Sequence, residues 1–224
     1  MFDFSRVNWE KVQDKTIETL IMTFESLIAV FIVGLFLGLL LYLTSNSKSA
    51  FGRGFYAVVT AIVNIFRAIP FIILIVLLIP FTKFLIGTII GVQAAIPALI
   101  ISAAPFYARL VEIGLREVDK GVIEAARAMG AKNSHMVVVR AAVTLSMPES
   151  VAPVSGLTVT AIALVGSTAM AGVIGAGGLG NLAYLDGFQR NNNTLTFVAT
   201  VLILIIVFAL QILGDTIVKK VDKR

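Results

Sequence analysis

The sequence predicts an all-α membrane protein with about five transmembrane helices. Hydrophobic residues make up 58% of its 224 residues and charged residues only 14%, whereas soluble domains have roughly 45–50% apolar and about 25% charged residues. The mean hydropathy is +0.97, and apolar runs recur at lengths near the roughly 20 residues that cross a bilayer. Because a bilayer offers no hydrogen-bond partner to free backbone groups, these runs are expected to be helices.

Five segments are long and apolar enough to span the bilayer. In chain order they are about residues 16–44, 55–80, 92–115, 151–174 and 194–217. Residues 81–91 are apolar but too short to cross, so we expect a loop or a helix that lies on the membrane surface. This pattern is typical of one transmembrane domain over residues 1–224, with one sizeable loop at about 116–150.

The distribution of Lys and Arg predicts the orientation. If the 116–150 loop is cytoplasmic, twelve basic residues lie on that side: Lys48, Arg53, Arg109, Arg116, Lys120, Arg127, Lys132, Arg140, Lys219, Lys220, Lys223 and Arg224. Five lie outside: Arg6, Lys11, Lys15, Lys83 and Arg190. Because cytoplasmic loops carry the excess of Lys and Arg, we expect the N-terminus outside and the C-terminus in the cytoplasm. The net charge of +5 therefore indicates membrane orientation rather than nucleic-acid binding.

The loop contains a short amphipathic segment, residues 119–130, with a signal at each end. Asp119 can accept hydrogen bonds from the first backbone N–H groups of a helix, and Gly130 can adopt the left-handed conformation that ends one. Between them, Val122, Ile123, Ala126 and Met129 share one face. A slim helix of this kind suits insertion into a groove on another protein. The residues alone are also compatible with a solvated helix that has no partner.

Glu124-Ala125-Ala126 followed by Gly130 resembles the EAA loop of the permease subunits of bacterial ATP-binding-cassette (ABC) importers, a family that depends on substrate-binding proteins. Further blocks make the chain similar to the permeases of methionine importers from about residue 20 onward. They are residues 67–74 (RAIPFIIL), 103–109 (AAPFYAR), 128–131 (AMGA), 158–162 (TVTAI), 166–170 (GSTAM) and 175–180 (GAGGLG). One departure is that Val143 stands where the family loop commonly has proline, and the next proline is Pro148.

The resemblance implies a type I ABC importer permease fold in the bacterial cytoplasmic membrane. Two copies would form a homodimer, and two separate ATPase subunits would dock on it from the cytoplasm. The docking residues carried over from the family loop are Glu124, Ala125, Ala126 and Gly130, and Met129 is expected to belong to the same docking loop. A substrate-binding protein would deliver an amino acid, most specifically methionine, from outside. The resemblance implies no cofactor and no nucleic acid, and lipid surrounds the spans.

The candidate residues of the translocation pathway lie in the second and fourth spans. Arg67 is costly in lipid, by roughly 2.5–3.5 kcal/mol on insertion scales, so it is expected to face protein or water. It either lines the substrate path or pairs with a carbonyl or with Glu25 of the first span. Ser167, Thr168 and Met170 sit among small residues, which favour either a pathway lining or ordinary helix contact.

Several other features are interpreted as structural. Pro70, Pro97 and Pro105 lie within predicted spans, where proline bends a helix, and we interpret them mainly as packing residues. The glycines of residues 175–180 lack the strand and the Lys-Ser/Thr ending of nucleotide loops, so they predict a turn on the outer side. His135 stands alone among polar neighbours and is interpreted as solvated. There are no cysteines, which excludes disulfides and thiolate sites.

No phosphate-binding loop or catalytic set of residues is present in the sequence, so we expect a non-enzymatic subunit that obtains its energy from a partner. Three alternatives remain open. The chain could be an ABC permease for another small amino acid, a secondary transporter driven by an ion gradient, or a membrane scaffold without transport activity.

Overall fold

The computed structural model describes residues 3–45, 47, 49–117, 128 and 152–221. The described chain is almost wholly helical. Its helices are α1 (Trp9–Ser45), α2 (Ala50–Ala68), α3 (Phe71–Leu77), α4 (Ile79–Ile86), α5 (Val92–Glu117), α6 (Ala152–Ala171), α7 (Gly178–Asn181) and α8 (Asn193–Val221). Two π-helical segments, Gly172–Ala176 and Leu182–Phe188, flank α7.

The prediction of about five transmembrane helices is confirmed. Within the described ranges, four helices are long and apolar enough to cross a membrane, and a bent pair of helices can supply a fifth crossing. The α1 helix has 37 residues and is therefore about 55 Å long. It is longer than the roughly 30 Å hydrocarbon core, so a single crossing does not use its whole length.

The second predicted span differs from the structure. Instead of one helix over residues 55–80, the chain forms α2 and α3, which meet at an angle of 106°. Pro70 begins α3 with a φ of −56°, and proline cannot donate the backbone hydrogen bond that would continue α2. The α4 helix then occupies much of the stretch predicted as a loop or surface helix and ends at Gly87, whose φ is +85°.

Helix α5 lies at the centre of the bundle. In its most apolar 18-residue window 61% of residues are buried, compared with 28% for α1 and 22% for α8. It packs against α1, α2, α4 and α6. Large apolar side chains on the outer helices, such as Phe36 and Phe208, are more than half exposed, as lipid-facing residues are expected to be.

Two glycines allow α1 to approach α5 closely. A Cβ atom on Gly34 would lie 2.7 Å from Cδ1 of Tyr107, and one on Gly38 would lie 2.7 Å from Cβ of Val111. These glycines are four residues apart, which is the small-residue spacing that brings membrane helices together. The α1–α5 contact is the most extensive helix pair in the described fold.

Candidate translocation pathway and docking loop

A cavity of about 460 Å³ opens where α2 bends into α3. It is lined from three sides by α2–α3, α5 and α6. The lining residues are Phe66, Arg67, Ile69, Pro70, Phe71, Ser102, Ala103, Phe106, Ala163, Leu164 and Ser167. The cavity therefore lies at the 106° bend between α2 and α3.

The bend is caused locally by a proline and is stabilised by packing of α3 against α5. At Ile69 the last backbone N–H of α2 donates to the carbonyl of Ile65, and Pro70 then starts the new helix. Leu74 and Ile75 of α3 are buried, and Ile75 belongs to an apolar cluster with Leu99 of α5. Proline breaks the helix, and burial of the α3 side chains fixes its new direction.

Arg67 lines the cavity with an exposed side chain. It lies 17 residues after Ala50, which is about 26 Å along α2. One interpretation of the sequence paired it with Glu25, but the described residues include no ion pair between the two. Glu25 instead accepts a hydrogen bond from Nε2 of Gln93 at 3.5 Å.

The structure brings Ser167 to the same cavity as Arg67. The hydroxyl of Ser167 donates to the carbonyl of Ala163 at 3.1 Å. Thr168 is only 1% exposed, and its hydroxyl donates to the carbonyl of Val165. Met170 lines a separate apolar groove between α6, the 182–188 segment and α8. A role for any of these residues in transport stays a prediction.

At the other end of α2, a buried carboxylate joins α2 to α5 close to the point where the loop begins. Glu112 is 0% exposed. Its Oε2 accepts from Arg109 at 2.5 Å and its Oε1 accepts from Arg116 at 2.7 Å. Tyr56 of α2 donates its hydroxyl to Oε1 of Glu112 at 3.2 Å and accepts from Arg116 at 3.1 Å.

Sequence reasoning missed the Glu112 cluster. The signal was present, because Arg109 and Arg116 stand three residues before and four residues after Glu112, the helical spacings at which charges pair. Tyr56 could not be found in this way, since it lies 56 residues away in the chain. The cluster ties the bundle together directly before the loop.

The opposite end of the bundle has its own polar anchor. Glu18 of α1 accepts from the backbone N–H of Gly178 at 2.6 Å, and Thr19 accepts from the N–H of Leu179 at 2.8 Å. Both N–H groups belong to the first turn of α7, where such donors lack partners within the helix. The chain around residues 175–180 is thus a π-helical segment and a short helix held by α1, rather than the simple turn predicted.

Gly177 and Gly178 enable this local path, with φ values of +89° and +74°. Non-glycine residues rarely adopt that conformation. Nearby, Asp186 is 5% exposed and pairs with Lys11 at 2.7 Å and with Arg190 at 3.1 Å. These contacts fasten the long charged start of α1 to the segment before α8.

The predicted docking residues Glu124, Ala125, Ala126, Met129 and Gly130 lie outside the described residues. The described chain ends α5 at Glu117 and resumes a helix at Ala152. In the described ranges, no group of three or more His, Cys, Asp and Glu side chains is arranged to hold a metal ion.

Comparisons with known proteins agree with this architecture. Residues 32–224 match the family described as binding-protein-dependent transport system inner membrane component. The methionine import system permease protein MetP of Bacillus subtilis (strain 168) is 62% identical over 185 residues, which are 83% of this chain and 82% of that protein. The probable D-methionine transport system permease protein MetI of Pasteurella multocida (strain Pm70) is 42% identical over 96% of this chain and 98% of its own length.

One chain in a solved structure of the MetNI methionine ABC transporter in inward facing conformations is similar to this protein along nearly its whole length. The TM-score is 0.85 at 45% sequence identity, and the alignment covers 94% of this chain and 95% of that chain. An amino acid ABC transporter structure with histidines is similar at a TM-score of 0.74 and 20% identity, a likeness that concerns the fold alone.

Proposed function

The chain belongs to the family of binding-protein-dependent transport system inner membrane components, and we propose that it is the permease subunit of an ATP-driven methionine importer. The observation that carries this proposal is the 62% identity to a methionine import permease over 83% of the chain. The fold provides a helix bundle with a cavity at a bend, and transporters place their substrate sites at such interrupted helices.

The working unit is a homodimer joined to two ATPase subunits and, on the outside, to a substrate-binding protein. A closed two-fold pair is the commonest form of a homo-oligomer, and it places two bundles around one path. ATP draws the ATPase subunits together, the loops follow, and the dimer opens outward. Hydrolysis then resets it. The N-terminus lies outside and the C-terminus in the cytoplasm, as the basic residues favour.

Reconstitution tests the function. The chain, its ATPase and its binding protein are placed in proteoliposomes, and uptake of labelled methionine is measured with and without ATP. The proposal expects uptake that requires ATP and that unlabelled methionine competes best. Stronger competition by another amino acid would favour a permease of the same class with different cargo. Uptake that persists without ATP would favour an ion-driven transporter, and no uptake of any solute would favour a scaffold.

The docking loop is tested by reversing one charge. We expect Glu124→Lys to detach or uncouple the ATPase, because a groove that fits a slim helix with a carboxylate would meet a longer cation instead. Gly130→Leu should act in the same direction by disturbing the end of the helix. The measurements are co-purification of the ATPase and methionine uptake per ATP hydrolysed.

Glu117→Lys is the matched control for the loop experiment. Glu117 is an exposed carboxylate at the end of α5, seven positions before Glu124. Its reversal should leave the ATPase bound and transport coupled. Wild-type ATPase recovery with normal uptake in Glu124→Lys would overturn the assignment of the docking loop.

A further inference from the structure

The cavity at the bend contains the cationic side chain of Arg67. Arg67 lines it, and no hydrogen bond or ion pair of its guanidinium occurs among the described residues. A charged side chain in a membrane-spanning segment normally faces protein or water and marks a substrate or ion path. Arginine presents a planar fork of N–H donors that matches a carboxylate. The charge of the cavity lining therefore suits an anionic group.

Hydroxyl groups face the same space from two other helices. Ser102 of α5 and Ser167 of α6 both line the cavity. Because Ser167 donates its proton to the carbonyl of Ala163, its oxygen remains free to accept from an ammonium group. The hydroxyl of Ser102 can donate or accept. Two serines and one arginine can thus satisfy both charged ends of a zwitterion.

The rest of the lining is apolar. Phe66, Phe71 and Phe106 contribute three aromatic rings, and Leu164 adds an aliphatic side chain. The volume of about 460 Å³ falls within the roughly 300–1,000 Å³ of small-molecule pockets, which combine mostly apolar walls with a few polar groups that orient the ligand. An amino acid with an apolar side chain has this same division of chemistry.

We propose that this cavity is a transit site in which Arg67 binds the α-carboxylate of the amino acid on its way through the membrane. This inference rests on the proposed function and goes beyond it by naming the recognised group. The apolar side chain of the cargo lies against the phenylalanines, and its ammonium group meets the serine hydroxyls. A single exposed arginine binds weakly, which suits a site that must release its ligand for transport to proceed.

The absence of natural cysteines permits a direct binding test. In Ser102→Cys, the single thiol reports on the cavity through its rate of reaction with a water-soluble thiol reagent. Millimolar methionine should slow that reaction, whereas methioninol, which lacks the carboxylate, should not. Adding Arg67→Gln should weaken the protection by at least about tenfold in methionine concentration, since a charge-assisted hydrogen bond is lost.

Ser49→Cys is the control for the labelling experiment. Ser49 is exposed just before α2 and outside the cavity, so its reaction rate should not depend on methionine. Equal protection by methioninol, or full protection in the presence of Arg67→Gln, would overturn the proposal. A thiol at position 102 that does not react at all would also overturn it, because the site requires access from water.

Transport separates this inference from the proposed function. In the reconstituted complex, Arg67→Gln should lower methionine uptake per ATP by about tenfold or more. Arg53→Gln, an exposed arginine of the same helix far from the cavity, should leave that ratio unchanged. ATP-dependent uptake at the wild-type ratio in Arg67→Gln would remove the transit site while leaving the importer function intact. Failure of ATP-dependent uptake in the unmodified protein would remove the importer function itself.

Discussion

The buried carboxylate of Glu112 provides the sharpest test of what holds the loop end of the bundle together. Two arginines and one tyrosine share its oxygens. We expect the double variant Arg109→Gln/Arg116→Gln to be strongly destabilised, because it removes both cations that pair with a carboxylate that is 0% exposed. Further substitution of Glu112→Gln in that background should recover most of the loss.

The magnitudes follow from the exposure of each partner. Removing the partners of a buried charge costs about 3–5 kcal/mol. In contrast, Glu112→Gln alone leaves two arginines that are 35% and 48% exposed and can be hydrated. Its cost should be about 1–3 kcal/mol, mainly from the lost charge-assisted hydrogen bonds. Stability should therefore decrease from the wild type, through Glu112→Gln and the triple variant, to the double variant Arg109→Gln/Arg116→Gln.

The midpoint of thermal unfolding of the detergent-solubilised protein measures this order. It is read by size-exclusion chromatography after heating to a series of temperatures. For a chain of this size, about 3–5 kcal/mol corresponds to a fall of roughly 6–20 °C in the midpoint. Equal midpoints of the double and triple variants would refute the reasoning, since the loss would then come from packing and not from an uncompensated charge. A double variant with the wild-type midpoint would refute it as well.

Two further predictions concern helix contacts. Gly38→Ala should cost about 1–3 kcal/mol, because its new methyl group would lie 2.7 Å from a backbone oxygen of α5. In the control Gly54→Ala, the new methyl group has no neighbour within 4 Å, so the change should be neutral or stabilising by up to about 1 kcal/mol. Equal unfolding midpoints of the Gly38→Ala and Gly54→Ala variants would contradict this. Glu18→Ala should remove the acceptor of the Gly178 N–H, costing about 0.5–2 kcal/mol and speeding hydrogen exchange at residues 178–181. Glu10→Ala, on the exposed first turn of α1, should leave that exchange unchanged.

The crossing segments could be predicted because each depends on local composition. The third span was expected at residues 92–115 and is α5, Val92–Glu117; the fifth was expected at 194–217 and is α8, Asn193–Val221. Hydropathy determines such boundaries, because lipid offers no hydrogen-bond partners and a single crossing segment can satisfy its backbone groups only as a helix. The second span was placed less well, because Pro70 indicates a break without indicating its angle.

The candidate site was predictable only in part. Arg67 could be singled out from the sequence, because a charged side chain within an apolar span is costly to expose to lipid. That Ser102 would line the same cavity could not be foreseen, since the two residues lie on separate helices and an ordinary serine has no sequence signal of its own. For the same reason Thr168 and Met170 could be grouped with Ser167 by proximity in sequence, although the structure turns them away from the cavity.

The sequence by itself determined that this is a membrane protein, that it has about five crossings and that residues 124–130 resemble a known loop motif, because those properties reside in composition and in contiguous motifs. Only the tertiary structure decided that α5 is the central helix, that Glu112 is buried and bonded to Tyr56, and that a cavity opens beside Arg67. Each of these depends on the rotation and tilt of helices about one another. Those angles are set by side chains that meet across long separations in the chain, such as the glycines of α1 against α5.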